Sequence, residues 1–303
     1  MGCGGNSRLG LAYGKDLAHA ASVVRSALEM GVTIIDTAHY YQTEPAVGMA
    51  LKEWPGGRQG LVISTKGPYL DPEGKLLSPA DFRQNLEKSL RDLGLETIDI
   101  YLIHGLSLPY YEACCESLLP VLERAKRDGK IRFLGVSEAF ESDTRHELLQ
   151  RLVQDDPWDV VMVGFNLVNP SARERVLAVT RAKGIATLGM FAVRRGLIDE
   201  AHLRKLLERL VERGEVDPGL LASGDLMESL DLKGVCESLS EAAYRFAAYE
   251  PGLDCTLIGT GSAEHLRQNL QAIGRGPLPE SAQKRLAELF GKIDSVSAQL
   301  QES

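Results

Sequence analysis

Short β-branched or apolar runs recur along the chain, each followed by a stretch of helical spacing. The runs are Val32–Ile35, Leu61–Ser64, Ile98–Ile103, Ile131–Val136, Val160–Val163, Ile185–Leu188 and Cys255–Ile258. They are nearly continuous rather than alternating, the pattern of strands buried on both faces of a parallel sheet. Between them, Phe82, Leu86, Ser89, Leu90 and Leu93 step by three and four. Leu118, Leu122 and Ala125 repeat the step and stop at Gly129, with Lys126, Arg127 and Lys130 around the last turn, as a helix C-terminus favours. A further helix is expected over roughly residues 16–30.

Strands alternating with helices predict an α/β protein with a parallel sheet. An eighth strand, for which Met1 to Gly5 is the candidate, makes the reading a (β/α)8 TIM barrel with an incomplete first strand. A doubly wound open sheet is the alternative, but Gly2-Cys3-Gly4-Gly5 lacks the third glycine of the dinucleotide fingerprint. The spacing breaks once, before Cys255, where a helical insertion over about 199–250 carries the stripe Leu203, Leu206, Leu207, Leu210 and the turn Val216-Asp217-Pro218-Gly219. Leu220-Leu221 and Leu226-Met227 are expected to pack the insertion's own helices rather than line a pocket. Pro277 to Pro279 leads into a C-terminal helix expected over about 280–300. The whole of 1–303 reads as a single domain.

Composition narrows the partners. Of 303 residues 44% are hydrophobic, enough for a sizeable core, and 34 Lys and Arg against 42 Asp and Glu leave a net charge of −8. Nucleic acid and anionic membrane surfaces call for a basic face, so neither is expected. The five cysteines, Cys3, Cys114, Cys115, Cys236 and Cys255, are odd in number and form no C-x-x-C pair. No disulfide framework or zinc ribbon follows, and the reading is a reducing, cytoplasmic compartment. The opening MGCGGNSRLG is not a signal peptide, its match to a myristoylation signal is one place out of register, and no run is long enough to span a bilayer.

The chemistry lies at the strand ends, where barrel enzymes carry it. One strand runs into Asp36-Thr37-Ala38-His39-Tyr40-Tyr41, the next into Thr65-Lys66, the next into His104-Gly105, and the next into Ser137-Glu138. Taken singly, such an Asp is a turn residue, such a Lys a solvated one and such a His a core one. Together, at successive strand ends, they point to a site. A tyrosine phenol is a poor acid near neutral pH. A neighbouring ammonium is expected to lower its pKa, an aspartate to hold the ammonium, and an imidazole to donate to a carbonyl oxygen, a set suited to protonating a developing alkoxide. No Gly-x-Ser-x-Gly elbow occurs, and no strand end offers three metal ligands. A proton donor of this kind calls for a hydride donor. Gly259-Thr260-Gly261-Ser262, ahead of the helix that opens at Ala263, is suited to a nucleotide phosphate; an ordinary start capped by Ser262 is the plainer alternative.

Gly31-Val32-Thr33-Ile34-Ile35-Asp36-Thr37-Ala38 with Tyr41, Glu44 and Gly48, then Ile63-Ser64-Thr65-Lys66, resembles the aldo-keto reductase superfamily. So do Ser89-Leu90-Arg91-Asp92-Leu93-Gly94 running on to Asp99 and His104, Gly129-Lys130-Ile131-Arg132 with Gly135-Val136-Ser137, and Ile258-Gly259 with Asn269. Phe191 to Leu197, with Ala242 to Phe246, is similar to a less characterised bacterial branch, distantly like sugar and galactose dehydrogenases.

The resemblance implies a (β/α)8 barrel that interconverts a carbonyl (aldehyde, ketone or sugar) and an alcohol with NADPH or NADH. It implies a tetrad of Asp36, Tyr41, Lys66 and His104, with Tyr41 rather than Tyr40 as the general acid. It implies a cofactor site drawn from Ser137, Glu138, Met162, Phe191, Gly259, Thr260, Gly261, Ser262, His265, Gln268 and Asn269, and no metal. Three departures stand out. Glu138 occupies the place of an Asn that binds the nicotinamide carboxamide, and Met162 that of a Gln. No basic residue for an adenosine 2′-phosphate lies in Gly259–Ser262, His265 and Arg267 being the nearest. The family's N-terminal hairpin is absent, which predicts an exposed seam beside the first strand. Two further readings of the scaffold are a nucleotide-binding sensor without turnover and an inactive, truncated barrel.

Overall fold

The computed structural model describes residues 1–222 and 224–300. Its strands are β1 (Ile34–Asp36), β2 (Val62–Gly67), β3 (Ile98–Leu106), β4 (Ile131–Glu138), β5 (Val160–Gly164), β6 (Ala186–Met190) and β7 (Cys255–Thr256). The helices are α1 (Leu17–Glu29), α2 (Glu44–Glu53), α3 (Pro79–Leu93), α4 (Tyr111–Ser117), α5 (Leu119–Arg127), α6 (Glu147–Leu152) and α7 (Ala178–Lys183). They continue with α8 (Glu200–Glu212), α9 (Gly219–Ala222), α10 (Leu226–Ser229), α11 (Leu239–Ala248), α12 (Ala263–Gly274) and α13 (Glu280–Phe290). The strands follow chain order in the sheet, and every registered pair is parallel. This order has no reversal, which excludes the doubly wound alternative.

The chain divides into two compact units. The first comprises Met1–Ala139, Arg151–Met162 and Leu257–Gln268. Its strands are buried on both faces, as Ile98–Ile103 shows throughout, and its helices start and stop where the sequence says. Asp16 caps α1 and Ser78 caps α3, which ends at Gly94 in the left-handed conformation. The acidic residues at strand starts have a common task. Parallel strands begin with backbone N–H groups in need of acceptors; Asp99 accepts from Ile63 N (2.8 Å) and Asp159 from Leu134 N (3.0 Å). Asp99 also pairs with Arg58 and with Arg132 (2.9 Å). Although burial opposes it, these donors hold its carboxyl below the usual carboxylate range.

The second unit comprises Phe140–Gln150, Val163–Thr256 and Asn269–Ser303. In it Asp254 repeats the device, accepting from Thr187 N (2.8 Å). The insertion folds as α8 to α11, with Leu203, Leu206, Leu207, Leu210, Leu220 and Leu226 buried.

Several boundaries differ from the pattern-based expectation. Strand β1 starts at Ile34, not Val32, because the Val32 N–H is taken by Ala27 O at the end of α1 (3.0 Å). The C-terminal helix stops at Phe290, and the following residues are not helical to 300. Their carbonyls are claimed elsewhere in the same unit: Val296 O by Asn169 Nδ2 (2.9 Å) and Ala298 O by Gly196 N (2.9 Å). The expected open seam at the first strand is also corrected. Met1 to Cys3 runs between two neighbours, with Gly2 bridged in parallel to both Asp36 and Gly259. Cys3 N donates to Asp36 O (2.7 Å) and Gly2 N to Ile258 O (2.8 Å).

Asp99 gives the fold an acid-sensitive tie. Its folded pKa is depressed, so its contribution is full above the unfolded value near 4 and is lost as pH falls through the lower folded value. Asp99→Asn is expected to cost about 2 kcal/mol at pH 7, and the gap from wild type to close below about pH 4, as urea unfolding across pH will show.

Candidate active site

Asp36 ends β1. The chain then turns through Thr37 and Ala38 into a single 3-10 turn, His39–Tyr41, and Gln42 takes a left-handed conformation (φ 59°) before α2 begins. This turn carries Tyr41 back over the strand ends. Lys66 lies near the end of β2 and His104 near the end of β3. The structure therefore brings Asp36, Tyr41, Lys66 and His104 together within the first unit.

Lys66 is 1% exposed. Its ammonium donates to Asp36 Oδ1 (2.8 Å), Asp36 Oδ2 (2.7 Å) and Thr37 O (2.7 Å), three acceptors for three protons. Ser64 Oγ donates a further bond to Asp36 Oδ1 (2.8 Å). Burial disfavours the ammonium, but Asp36 and its other neighbours outweigh that and raise its pKa, so Lys66 is charged. The cation sits 5.1 Å from the centre of the Tyr41 ring.

The effect of Lys66 on Tyr41 has the expected sign, and burial outweighs it. Lys66 does pull the phenol down, but desolvation of the phenolate is the larger effect, and the net shift is upward. His104 moves the other way. Burial first, then Lys66 and His39, push it down to about 3, so it is a neutral imidazole across the physiological range. His104 Nε2 lies 3.4 Å from Tyr41 Oη, and its Nδ1 is buried without a hydrogen-bond partner among the described residues. With the proton on Nε2, the ring can donate toward Tyr41 or toward a carbonyl oxygen beside it. Tyr40 is 54% exposed, with its ring 5.7 Å from that of His104; Tyr41 is the phenol beside Lys66.

Two neighbours were not legible as site residues. A Cβ on Gly4 would lie 2.4 Å from the Tyr41 ring, so only glycine lets the phenol lie where it does. Cys3 is fully buried, and its thiol is pushed up to about 12. Gly4 in this segment thus serves packing rather than a phosphate fingerprint.

Of the residues expected at a cofactor, Ser137 and Glu138 are buried at the end of β4 and Met162 in the middle of β5. Ser137 Oγ accepts from Gly105 N (3.1 Å), which ties it to the residue after His104. Glu138 can accept from a carboxamide NH2, but when ionised it has no proton for the carbonyl, unlike the Asn it replaces. Ser262 caps α12, its Oγ accepting from His265 N (3.3 Å), and Thr260 Oγ1 accepts from Ser262 N (3.1 Å). His265 and Gln268 are exposed, and both Gln268 and Arg267 bond Glu264. Phe191 and Asn269 belong to the second unit. Phe191 has φ 66°, stacks on Phe140 and lies under the Arg194 guanidinium at 3.9 Å. Hydroxyls and a capped helix start at residues 259–263 suit an anionic nucleotide. No group of three or more His, Cys, Asp or Glu side chains is placed to hold a metal among the described residues.

A family model described as aldo/keto reductase matches residues 1–290. The chain is 25% identical over 295 residues to the NADH-specific methylglyoxal reductase of Escherichia coli K12, covering 91% of this chain and 84% of that one. It is 25% identical over 283 residues to L-galactose dehydrogenase of Arabidopsis thaliana, covering 91% and 85%. Its fold is similar to that of the holo form of aldo-keto reductase AKR11C1 from Bacillus halodurans (TM-score 0.71, 22% identity, 98% and 92% covered). The chain belongs to the aldo/keto reductase family and is an NAD(P)H-dependent oxidoreductase.

Burial of Tyr41 sets a spectroscopic expectation. Its phenol stays protonated to beyond the ordinary value near 10. An ultraviolet difference titration of wild type against Tyr41→Phe should place the missing phenolate step above pH 10. Gly4→Ala should move that step, because the ring must leave its place over Lys66.

Proposed function

We propose that the protein reduces a small aldehyde, ketone or sugar carbonyl, with Tyr41 as the general acid. The observation that carries this reading is the buried Asp36–Lys66 pair held beside Tyr41 and a neutral His104. A nicotinamide nucleotide supplies the hydride when bound. His104 Nε2–H donates to the carbonyl oxygen and aligns it with the phenol. Tyr41 gives that oxygen its proton as negative charge develops there. The phenolate left behind is stabilised by the Lys66 ammonium, and Asp36 keeps that ammonium charged and in place. The same groups run the reverse reaction, with the phenolate as base. This complete set weighs against a sensor without turnover.

The cofactor contacts in this reading are the capped turn Gly259–Ser262 for a phosphate and Ser137 with Glu138 for the carboxamide. The methylglyoxal reductase relative is NADH-specific by name, and here Arg267 is already paired with Glu264, which leaves little for a 2′-phosphate. NADH is therefore expected to bind at least as tightly as NADPH. In the same reading residues 1–303 form one catalytic domain of the (β/α)8 type, with Met1 to Cys3 as its short first strand, and the family model spans 1–290. Five free cysteines accord with a cytoplasmic setting.

Tyr41→Phe should lower kcat for carbonyl reduction by about 10³-fold while nucleotide affinity stays near wild type. A Tyr41→Phe enzyme that turns over aldehydes at the parent rate sinks the assignment. Glu264→Gln, which releases Arg267, should shift the ratio of dissociation constants toward NADPH, read from nucleotide fluorescence.

A further inference from the structure

Residues Arg8, Leu9 and Gly10 take positive φ in succession (44°, 58° and 94°). For the two that are not glycine this is a strained backbone conformation. The run is nonetheless packed, with Leu9 and Gly10 buried, and what it packs against is the turn before α12. A Cβ on Gly261 would lie 2.7 Å from Gly10 N and 3.1 Å from Gly10 Cα. These two backbones touch with no side chain between them. On the other side of Gly10 stands the His19 ring, 3.0 Å from where a Gly10 Cβ would be. The His19 Nε2 reaches past to the Gly261 carbonyl oxygen, 3.2 Å away.

His19 is itself fixed at both backbone ends in the first turn of α1. Its N–H donates to Asp16 Oδ1 (2.8 Å), and its carbonyl accepts from Ser22 Oγ (2.7 Å). Because the peptide unit is planar and trans, anchoring the Gly261 carbonyl also fixes the Ser262 N–H on the opposite side of that unit, where it meets Thr260 Oγ1. The helix start at Ser262 thus has its peptide planes set from outside the turn.

We propose that His19, acting through Gly10 and Gly261, is a positioning residue for nucleotide binding. It holds the Gly259–Ser262 turn in its receiving shape before the nucleotide arrives, so that ordering the turn is not charged against binding. The role rests on the reading of that turn as the nucleotide phosphate site. His19 has no part in the chemical step.

The test compares wild type, His19→Phe, which keeps a ring against Gly10 but no donor, and His19→Gln, which restores a donor. NADH and NADPH are titrated by fluorescence, and hydrogen–deuterium exchange over residues 259–266 is followed without nucleotide. His19→Phe should raise both dissociation constants about tenfold, the loss of roughly one hydrogen bond. It should raise the KM for nucleotide, leave kcat at saturation within about twofold, and speed exchange in that segment alone, with His19→Gln recovering most of each effect. Should His19→Phe not fold, His19→Leu takes its place. Unchanged exchange and unchanged affinity, with only a lower melting temperature, overturn the proposal; so does a loss confined to kcat. If wild type binds neither nucleotide, the function assigned above fails, while the exchange comparison still decides whether His19 holds the turn.

Discussion

The organisation of the site follows from one buried cation. The Lys66 ammonium is almost completely removed from water and is paired with Asp36, with Thr37 O as its third acceptor. Removing two charges from water is costly unless every donor and acceptor is matched, and here they are. The end of β1, the end of β2 and the Ser64 hydroxyl are committed to that one pair. Its field then reaches outward. It offsets part of the burial that raises Tyr41, and it adds to the burial that lowers His104. One charge thus helps keep the imidazole neutral and stands ready to meet a phenolate.

Desolvation shapes the resting state of the phenol more than the cation does. A Tyr41 whose proton were already loose would not be available as an acid; one buried deeply with no cation nearby could not release it. The geometry lies between these limits because Gly4 lets the ring pack tightly while Lys66 stays about one ring's width from its centre.

The α/β alternation was legible because strands buried on both faces read as continuous apolar runs, and the four site residues were legible because they stand at successive strand ends. The role of Tyr41 over Tyr40 rested on resemblance, and the structure separates the two by burial. What could not be read came from contacts distant in sequence. The Val32 N–H is used by α1, the residues after Phe290 are claimed by Asn166, Asn169 and Gly196, and Gly2 bridges Asp36 and Gly259. The sign of the Tyr41 shift depends on how much water the folded chain excludes, which residue identities alone do not show. Gly10 carried no recognisable pattern and Gly261 read only as part of a phosphate turn, because the approach of these two backbones is a contact between distant parts of the chain.

Cys3 has a consequence for how the protein meets oxidants and electrophiles. Reactive sulfur is thiolate sulfur, and this thiol is fully buried with its ionisation pushed up to about 12. A peroxide or an α,β-unsaturated aldehyde entering beside Tyr41 meets a phenol, a neutral imidazole and a paired ammonium, and the buried, protonated sulfur of Cys3 is inert toward it. The enzyme can therefore keep a thiol one residue before Gly4 that stays closed to alkylation while the fold is intact.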